Sequence, residues 1–570
     1  MFYLFLFYSL AFLFSTIGYG LLFCKISKID ISIINTGLIG ILGLFLLSII
    51  ASYSHLIFQH NYFHNLTILS IGLISFFYLS FKKKINIKII LFCFFILFIG
   101  FLIAKTNEDF PYYHLPNSLQ FSQQKLQFGL GNLNHGFKHI TSLFMLNSIN
   151  YYPLINYYLF NLVNFLFQVF FVCFLIIEVL NNNNNKIANF TKNFLILTLV
   201  LFLVKFSRLA EYGTDIAGQI IIFVSIFFSL EILLNSKINS KYKISYFKLL
   251  IILLVFTVST KVIYVIYSLI PVIVFFNMQN KIKTLNSILQ LKNLFFIILS
   301  ITFLLFFNFA STGCILYPIP ETCFSETFDW SLKKETVSYM NYHYELWSKG
   351  GRGPNFEVSN PEKYVEGLNW IQNWISIYFF TKVSDFLAVI LVILLFYTSL
   401  FFREIFSAKQ SKQDISLAKF INLYLALIII FLIWFFNFPT LRYAGYVIIY
   451  LLFILPYCLS INNKIVWEVG KYKKFFLILI FCFSIFALKN SIRLYKEINI
   501  LEDQHHNFKN FPFYFVKNSP YKEVIINNNR VYEALDGNMC WATPSTCVRA
   551  TDKLNIKNKN GYKFYSYNDF

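Results

Sequence analysis

Charge is scarce in this chain. Only 13% of its 570 residues are Asp, Glu, Lys or Arg, and the 27 acidic residues are outnumbered by 48 basic ones. Soluble globular proteins carry about a quarter charged residues, so an ordinary water-soluble fold is excluded. Disordered chains are poor in apolar residues, and a hydrophobic content of 57% excludes that class too. A basic groove interleaved with polar surface is also missing, so the net charge of +21 does not point to nucleic acid. There is no internal repeat and none of the halved symmetry that marks many transporters. No small-residue cleavage site follows the first apolar run, which reads as an uncleaved anchor. The basic loops hold no glycine-rich nucleotide loop, which speaks against a nucleotide-linked donor.

What the chain has instead is apolar runs of bilayer-crossing length, with a mean hydropathy of +0.61. The expected fold is an all-α polytopic membrane protein with about fourteen spans. They are placed at 2–23, 33–53, 65–81, 88–104, 155–180, 194–206, 217–235, 247–259, 263–276, 293–310, 384–402, 416–436, 446–461 and 475–489. Taking alternate sides, one set of loops is rich in lysine: Lys82, Lys83, Lys84, Lys237, Lys241, Lys243, Lys281, Lys283, Lys292, Lys464, Lys471, Lys473 and Lys474 belong to it. The short loops of the other set hold only Arg208, Lys261 and Arg442. Lys and Arg near span ends stay on the cytoplasmic side, so the lysine-rich set is expected inside and both termini outside. The chain then divides into a four-span bundle at 1–104, a large outer loop at 105–154 and a membrane core at 155–310. A second outer loop at 311–383, further spans at 384–489 and a small outer segment at 490–570 follow.

Nine cysteines give a second view of sidedness. Five sit in or beside apolar runs, where a thiol acts as a small apolar residue. The others form two close pairs, Cys314 with Cys323 and Cys540 with Cys547, both in expected outer segments, where disulfides persist. Zinc is the competing reading, but the spacings exceed the usual two to four residues.

Ionisable groups at the membrane edge are functional candidates by default, because desolvating a charge is costly. The first outer loop opens with Glu108 and Asp109, followed by Tyr112, Tyr113 and His114. A carboxylate at the lip of an apolar cavity can accept a proton; alternatively, the pair marks where a helix meets water. Further along the loop, apolar residues among amides at 123–139 admit an amphipathic interfacial helix. His114, His135 and His139 could hold a divalent metal ion, the last two spaced for one helical face, although no complete ligand signature is present. Asp215 either caps the helix that follows it or faces the same cavity as Asp109. Lys261 and Arg442 stand outside against the charge rule. Arg can grip a phosphate with two parallel bonds, whereas Lys261 could also snorkel to head groups. Trp330, Trp347, Trp370 and Trp374 crowd the second outer loop; such platforms suit sugar rings, and they also gather at membrane interfaces.

Three segments carry a family resemblance. They are Glu108-Asp109-Phe110-Pro111-Tyr112-Tyr113-His114-Leu115-Pro116, Glu211-Tyr212-Gly213-Thr214-Asp215 and Gly313-Cys314-Ile315-Leu316-Tyr317-Pro318. With the late Pro439-Thr440-Leu441-Arg442-Tyr443 turn, they make the chain resemble the membrane glycosyltransferases of the GT-C superfamily, through an uncharacterised bacterial membrane-protein group related to them. The acidic loop follows four spans here rather than one. The resemblance implies a bacterial inner-membrane enzyme acting on the periplasmic side. It implies a polyprenyl-phosphate-linked sugar donor and an envelope glycan, lipid or protein as acceptor. Asp109, beside Glu108, would be the base; Arg442, Lys261 and Arg208 would steady the departing phosphate, with Asp215, His114 and Tyr443 lining the site. The rival readings are an O-antigen-type polymerase or ligase, which would lean on Arg352 and Arg442, and a non-enzymatic transporter.

Overall fold

The computed structural model describes residues 2–81, 85–103, 106, 109–181, 187–209, 213–353, 356–406, 416–465, 467, 471–499, 516, 519–536 and 539–567. Lys82, Lys83, Lys84, Glu108, Glu211 and Tyr212 lie outside the described residues.

Apolar runs become helices because only a helix satisfies every backbone group within one segment away from water. Among the described residues, eleven helices are long and apolar enough to cross a membrane. Three shorter apolar helices, Ile87–Phe101, Asn189–Val204 and Val262–Phe276, stand where further spans were expected. Asparagines start several of them: Asn35, Asn61 and Asn239 accept from the backbone N–H three residues on, at 3.0 Å in each case. Gly313, with φ +73°, ends Leu291–Thr312 in the left-handed conformation that glycine alone takes without strain. The helices Tyr157–Leu180 and Asp215–Leu234 are wholly buried and form the centre of the bundle. Around them the first three helices pack closely through small residues. A Cβ on Gly18 would meet the Gly72 carbonyl at 2.0 Å, and one on Gly43 would meet the Thr16 carbonyl at 1.9 Å.

The two sets of loops gather at opposite ends. At one end a cavity of about 880 Å³ is lined by Asp30, Asn86 and Lys237 from loops of the lysine-rich set and by Asn35 and Glu178 at adjoining helix ends. At the other end the two long loops expected to lie outside, here called the first and second outer loops, and the carboxy-terminal segment pack on one another. The chain is the mostly helical, many-spanned protein expected, and its little sheet is concentrated in the carboxy-terminal segment. Tyr521–Ile526 pairs antiparallel with Asn529–Ala534, and Leu554–Lys559 pairs antiparallel with Tyr562–Tyr567. Leu554 and Ile556 alternate inward, the period of a half-buried strand. With Val531, Val548 and Tyr565 they cover Leu130, Leu133 and Phe137 of the first outer loop. Tyr562–Tyr567 also pairs in parallel with Gln127–Phe128. That pairing explains why no amphipathic helix forms at 123–139: Gly129, at φ +75°, breaks the run, which divides into a two-residue strand and two short turns. Both cysteine pairs are at disulfide distance, 2.09 Å for Cys314–Cys323 and 2.04 Å for Cys540–Cys547.

Candidate active site

Four charged side chains from four distant parts of the chain meet at this end of the bundle. Arg442 Nη2 donates to Asp109 Oδ2 at 2.6 Å, and Arg442 Nε donates to Asp215 Oδ2 at 3.0 Å. Lys261 Nζ donates to the other oxygen of Asp215. Two cations thus face two carboxylates. The Lys261 ammonium also lies 4.3 Å from the centroid of the Tyr443 ring, and Tyr113 donates its hydroxyl to Asp109 at 3.4 Å. The two carboxylates differ in setting. The Asp215 side chain is 7% exposed and doubly paired, whereas that of Asp109 is 29% exposed.

Local sequence explains each placement. Asp109 precedes the widened helical turn Phe110–His114, and its carbonyl accepts from the N–H of Tyr113 at 3.0 Å. Asp215 is the first residue of its helix and does not act as the cap expected of it; Thr214 takes that place, and the Asp215 carboxylate turns to Lys261 and Arg442 instead. Lys261 follows the last turn of Ser240–Thr260 in an extended conformation. The end of that helix is tied to the first outer loop by Thr141, which donates to the Thr260 carbonyl at 2.6 Å, and by Ser142 at 2.9 Å from Ser259. Arg442 sits in the turn Leu441–Gly445, kinked at Ala444 with φ +74°. Two tryptophans anchor that turn: Trp374 donates to the Pro439 carbonyl at 2.9 Å and Trp434 to the Thr440 carbonyl at 3.1 Å. Tyr378 accepts from the Leu441 N–H at 2.6 Å.

A family described as a domain of unknown function, DUF8201, matches residues 1–449. The chain belongs to this family. All four charged residues of the DUF8201 site lie within the matched region, and the carboxy-terminal strands lie beyond it. No curated protein and no solved structure matches the chain.

The histidines of the DUF8201 chain fall into place around the quartet in ways their spacing did not announce. His114 is buried against the Phe144 ring, 5.5 Å away, and its Nε2 has no hydrogen-bond partner among the described residues. Burial pushes its pKa down to about 4, although Asp109 and Asp215 pull the other way. His135 and His139 do not share a helical face; they flank the tight turn His135–Lys138, and each Nε2 is 3.3 Å from the Tyr344 hydroxyl. Burial, reinforced by neighbouring positive charge, drives His135 to about 2 and His139 to about 3, so both are neutral at physiological pH. Among the described residues, no group of three His, Cys, Asp or Glu side chains is placed to hold a metal ion.

Arg208 does not join the quartet. It is exposed, and its electrostatic neighbours are Lys205 and Lys489. The reason is positional: Arg208 precedes the turn that leads into Asp215, on the side facing the last helix, Tyr472–Asn499. Of the expected aromatic platforms, Trp347 reaches the site, 5.9 Å from Tyr443, while Trp330 packs 5.4 Å from Phe128 under the carboxy-terminal strands. Tyr344 and Tyr378 went unmarked in the sequence, because tyrosine is too common here for single positions to stand out.

Proposed function

We propose that this DUF8201 protein is a membrane glycosyltransferase of GT-C type in a bacterial inner membrane. It moves a sugar from a polyprenyl-phosphate-linked donor to an envelope acceptor on the periplasmic side. The observation that carries this reading is the bridge of Arg442 between the half-buried Asp109 and the buried Asp215.

The bridge divides the labour. An ion pair at 29–30% exposure is worth about 0–1 kcal/mol, so the singly charged phosphodiester of the donor can take Arg442 Nη2 from Asp109. The Asp215 side is nearly closed to water, and opening it is far more costly. Donor binding therefore releases Asp109 while Asp215 continues to hold Lys261 and Arg442 in place. A carboxylate that has lost its guanidinium partner is a stronger base. Asp109, no longer paired with Arg442, takes the proton of the acceptor hydroxyl as the hydroxyl oxygen bonds to the anomeric carbon. The bond from that carbon to the phosphate oxygen breaks, and the polyprenyl phosphate leaves with its new charge against Arg442 and Lys261. The prenyl tail stays in the bilayer throughout, which suits a site at the membrane edge.

The test is the envelope glycan profile of cells whose own gene has been replaced by that for Asp109→Asn. Loss of one sugar species at normal protein level supports the reading. An unchanged profile removes Asp109 from the mechanism.

A further inference from the structure

Beside the quartet lies a separate cavity of about 620 Å³. That is an ordinary size for a ligand pocket, which runs from about 300 to 1,000 Å³. Its wall is drawn from all three segments packed at this end: Tyr112 and Lys138 from the first outer loop, Tyr339 and Arg352 from the second, Arg549 and Tyr567 from the carboxy-terminal segment. Three cations and three tyrosines share one space, and among the described residues no Asp or Glu lines it.

The three cations differ in setting: Lys138 is buried, Arg352 half-buried and Arg549 exposed. The Arg549 N–H donates to the Leu133 carbonyl at 3.2 Å, fixing the backbone beneath its side chain. Arg352 Nη1 donates to the Tyr339 hydroxyl at 2.8 Å, and its Nη2 lies 3.5 Å from Glu357. Lys138 is 9% exposed. Among the described residues, neither Lys138 nor Arg549 makes an ion pair. A buried cation without a counterion is costly, so an anion from outside would be welcome here.

The cavity also borders the quartet. Tyr112 and His135 line it, and both lie within electrostatic reach of Asp109. Next to His135 the packing is tight: a Cβ on Gly136 would meet Tyr113 Cβ at 2.1 Å.

We propose that this cavity is the acceptor site and takes an anionic glycan, its carboxylate or phosphate groups meeting Lys138, Arg352 and Arg549 and its sugar rings lying against Tyr112, Tyr339 and Tyr567. Its role as acceptor site rests on the glycosyltransferase reading; the binding itself does not. Arg549 and Tyr567 line this cavity from beyond the DUF8201 match, so on this proposal the carboxy-terminal segment takes part in holding the acceptor.

The experiment is binding of three oligosaccharides of equal length to the purified full chain: an oligogalacturonate, a glycerol-phosphate oligomer and a neutral maltooligosaccharide. One anionic oligomer is expected to bind about tenfold more tightly than the neutral one, the value of one charge-assisted contact, and which of the two does so separates carboxylate from phosphate. Arg549→Gln and, separately, Arg352→Gln are expected to remove that preference while leaving the heat stability of the protein unchanged. Asp109→Asn is expected to retain it, so a failed transferase reading would leave the binding result standing. Equal affinity for all three oligomers, no binding of any, or an anionic preference that survives both arginine changes overturns the proposal.

Discussion

Replacing Asp215 by Asn removes one charge and keeps the shape of the side chain. In the folded protein this carboxylate accepts from Lys261 Nζ and, at 3.0 Å, from Arg442 Nε, with 7% of its side chain exposed. Removing one partner of a buried pair costs about 3–5 kcal/mol, because the other charge stays behind. Lys261 and Arg442 keep 23% and 30% exposure, so water relieves part of that cost and the lower end, about 3 kcal/mol, is expected. Asp109→Asn breaks a pair at 29% exposure and should cost at most about 1 kcal/mol. The two isosteric changes therefore separate: Asp215→Asn lowers the heat-unfolding midpoint in detergent markedly, and Asp109→Asn leaves it near that of the unaltered protein. Adding Arg442→Gln to Asp215→Asn should recover part of the loss, since it removes the uncompensated charge. Equal destabilisation by the two single changes, or a double variant no better than the sum of its parts, would refute the division of the quartet into a buried anchor and a displaceable base.

The buried histidines predict acid sensitivity. The unfolded His114 imidazole takes up a proton as pH falls through 6.5, while the folded one resists until about 4, so stability is full above 6.5 and declines between those values by about 3 kcal/mol. His114→Gln should make that limb of the heat-stability profile shallower, and an unchanged slope would contradict the assigned burial. Gly136→Ala forces its new methyl against Tyr113 Cβ and should cost about 1–3 kcal/mol while lowering activity through Asp109, measured as kcat at matched protein level; a silent change would mean the wall is loose. Non-reducing peptide mapping should recover Cys314 linked to Cys323 and Cys540 linked to Cys547, and zinc released on acidification instead would restore the metal reading.

The parts of this molecule that could be read from sequence are those where water and charge leave a mark. Apolar runs announce helices, and a cation or carboxylate at the end of one stands out because it is expensive there; Asp109, Asp215, Lys261 and Arg442 were each conspicuous for that reason, and the fold brings them together. The same logic could not tell that Arg208 would stand apart from them, since a charge at a helix end says nothing about which neighbour that end will face. Contacts made across long sequence separations left no such mark. The hydroxyl of Tyr344, more than two hundred residues away, lies 3.3 Å from both His135 and His139. The parallel pairing of Gln127–Phe128 with Lys563–Phe564 turns an apparent interfacial helix into a strand, because the partner that decides it comes at the far end of the chain. The anchoring of the Arg442 turn by Trp374 and Trp434 likewise depends on backbone acceptors that any sequence would offer.

The central claim is that Asp109 and Arg442 cleave a sugar from a lipid phosphate. The purified protein, returned to vesicles with envelope lipid extract carrying polyprenyl-phosphate sugars and an envelope glycan fraction, can be followed by the mass-spectrometric appearance of free polyprenyl phosphate. The unaltered protein is predicted to release it only when the glycan fraction is present, and Asp109→Asn to release none. Release at the same rate by both proteins, or by neither, would contradict the account.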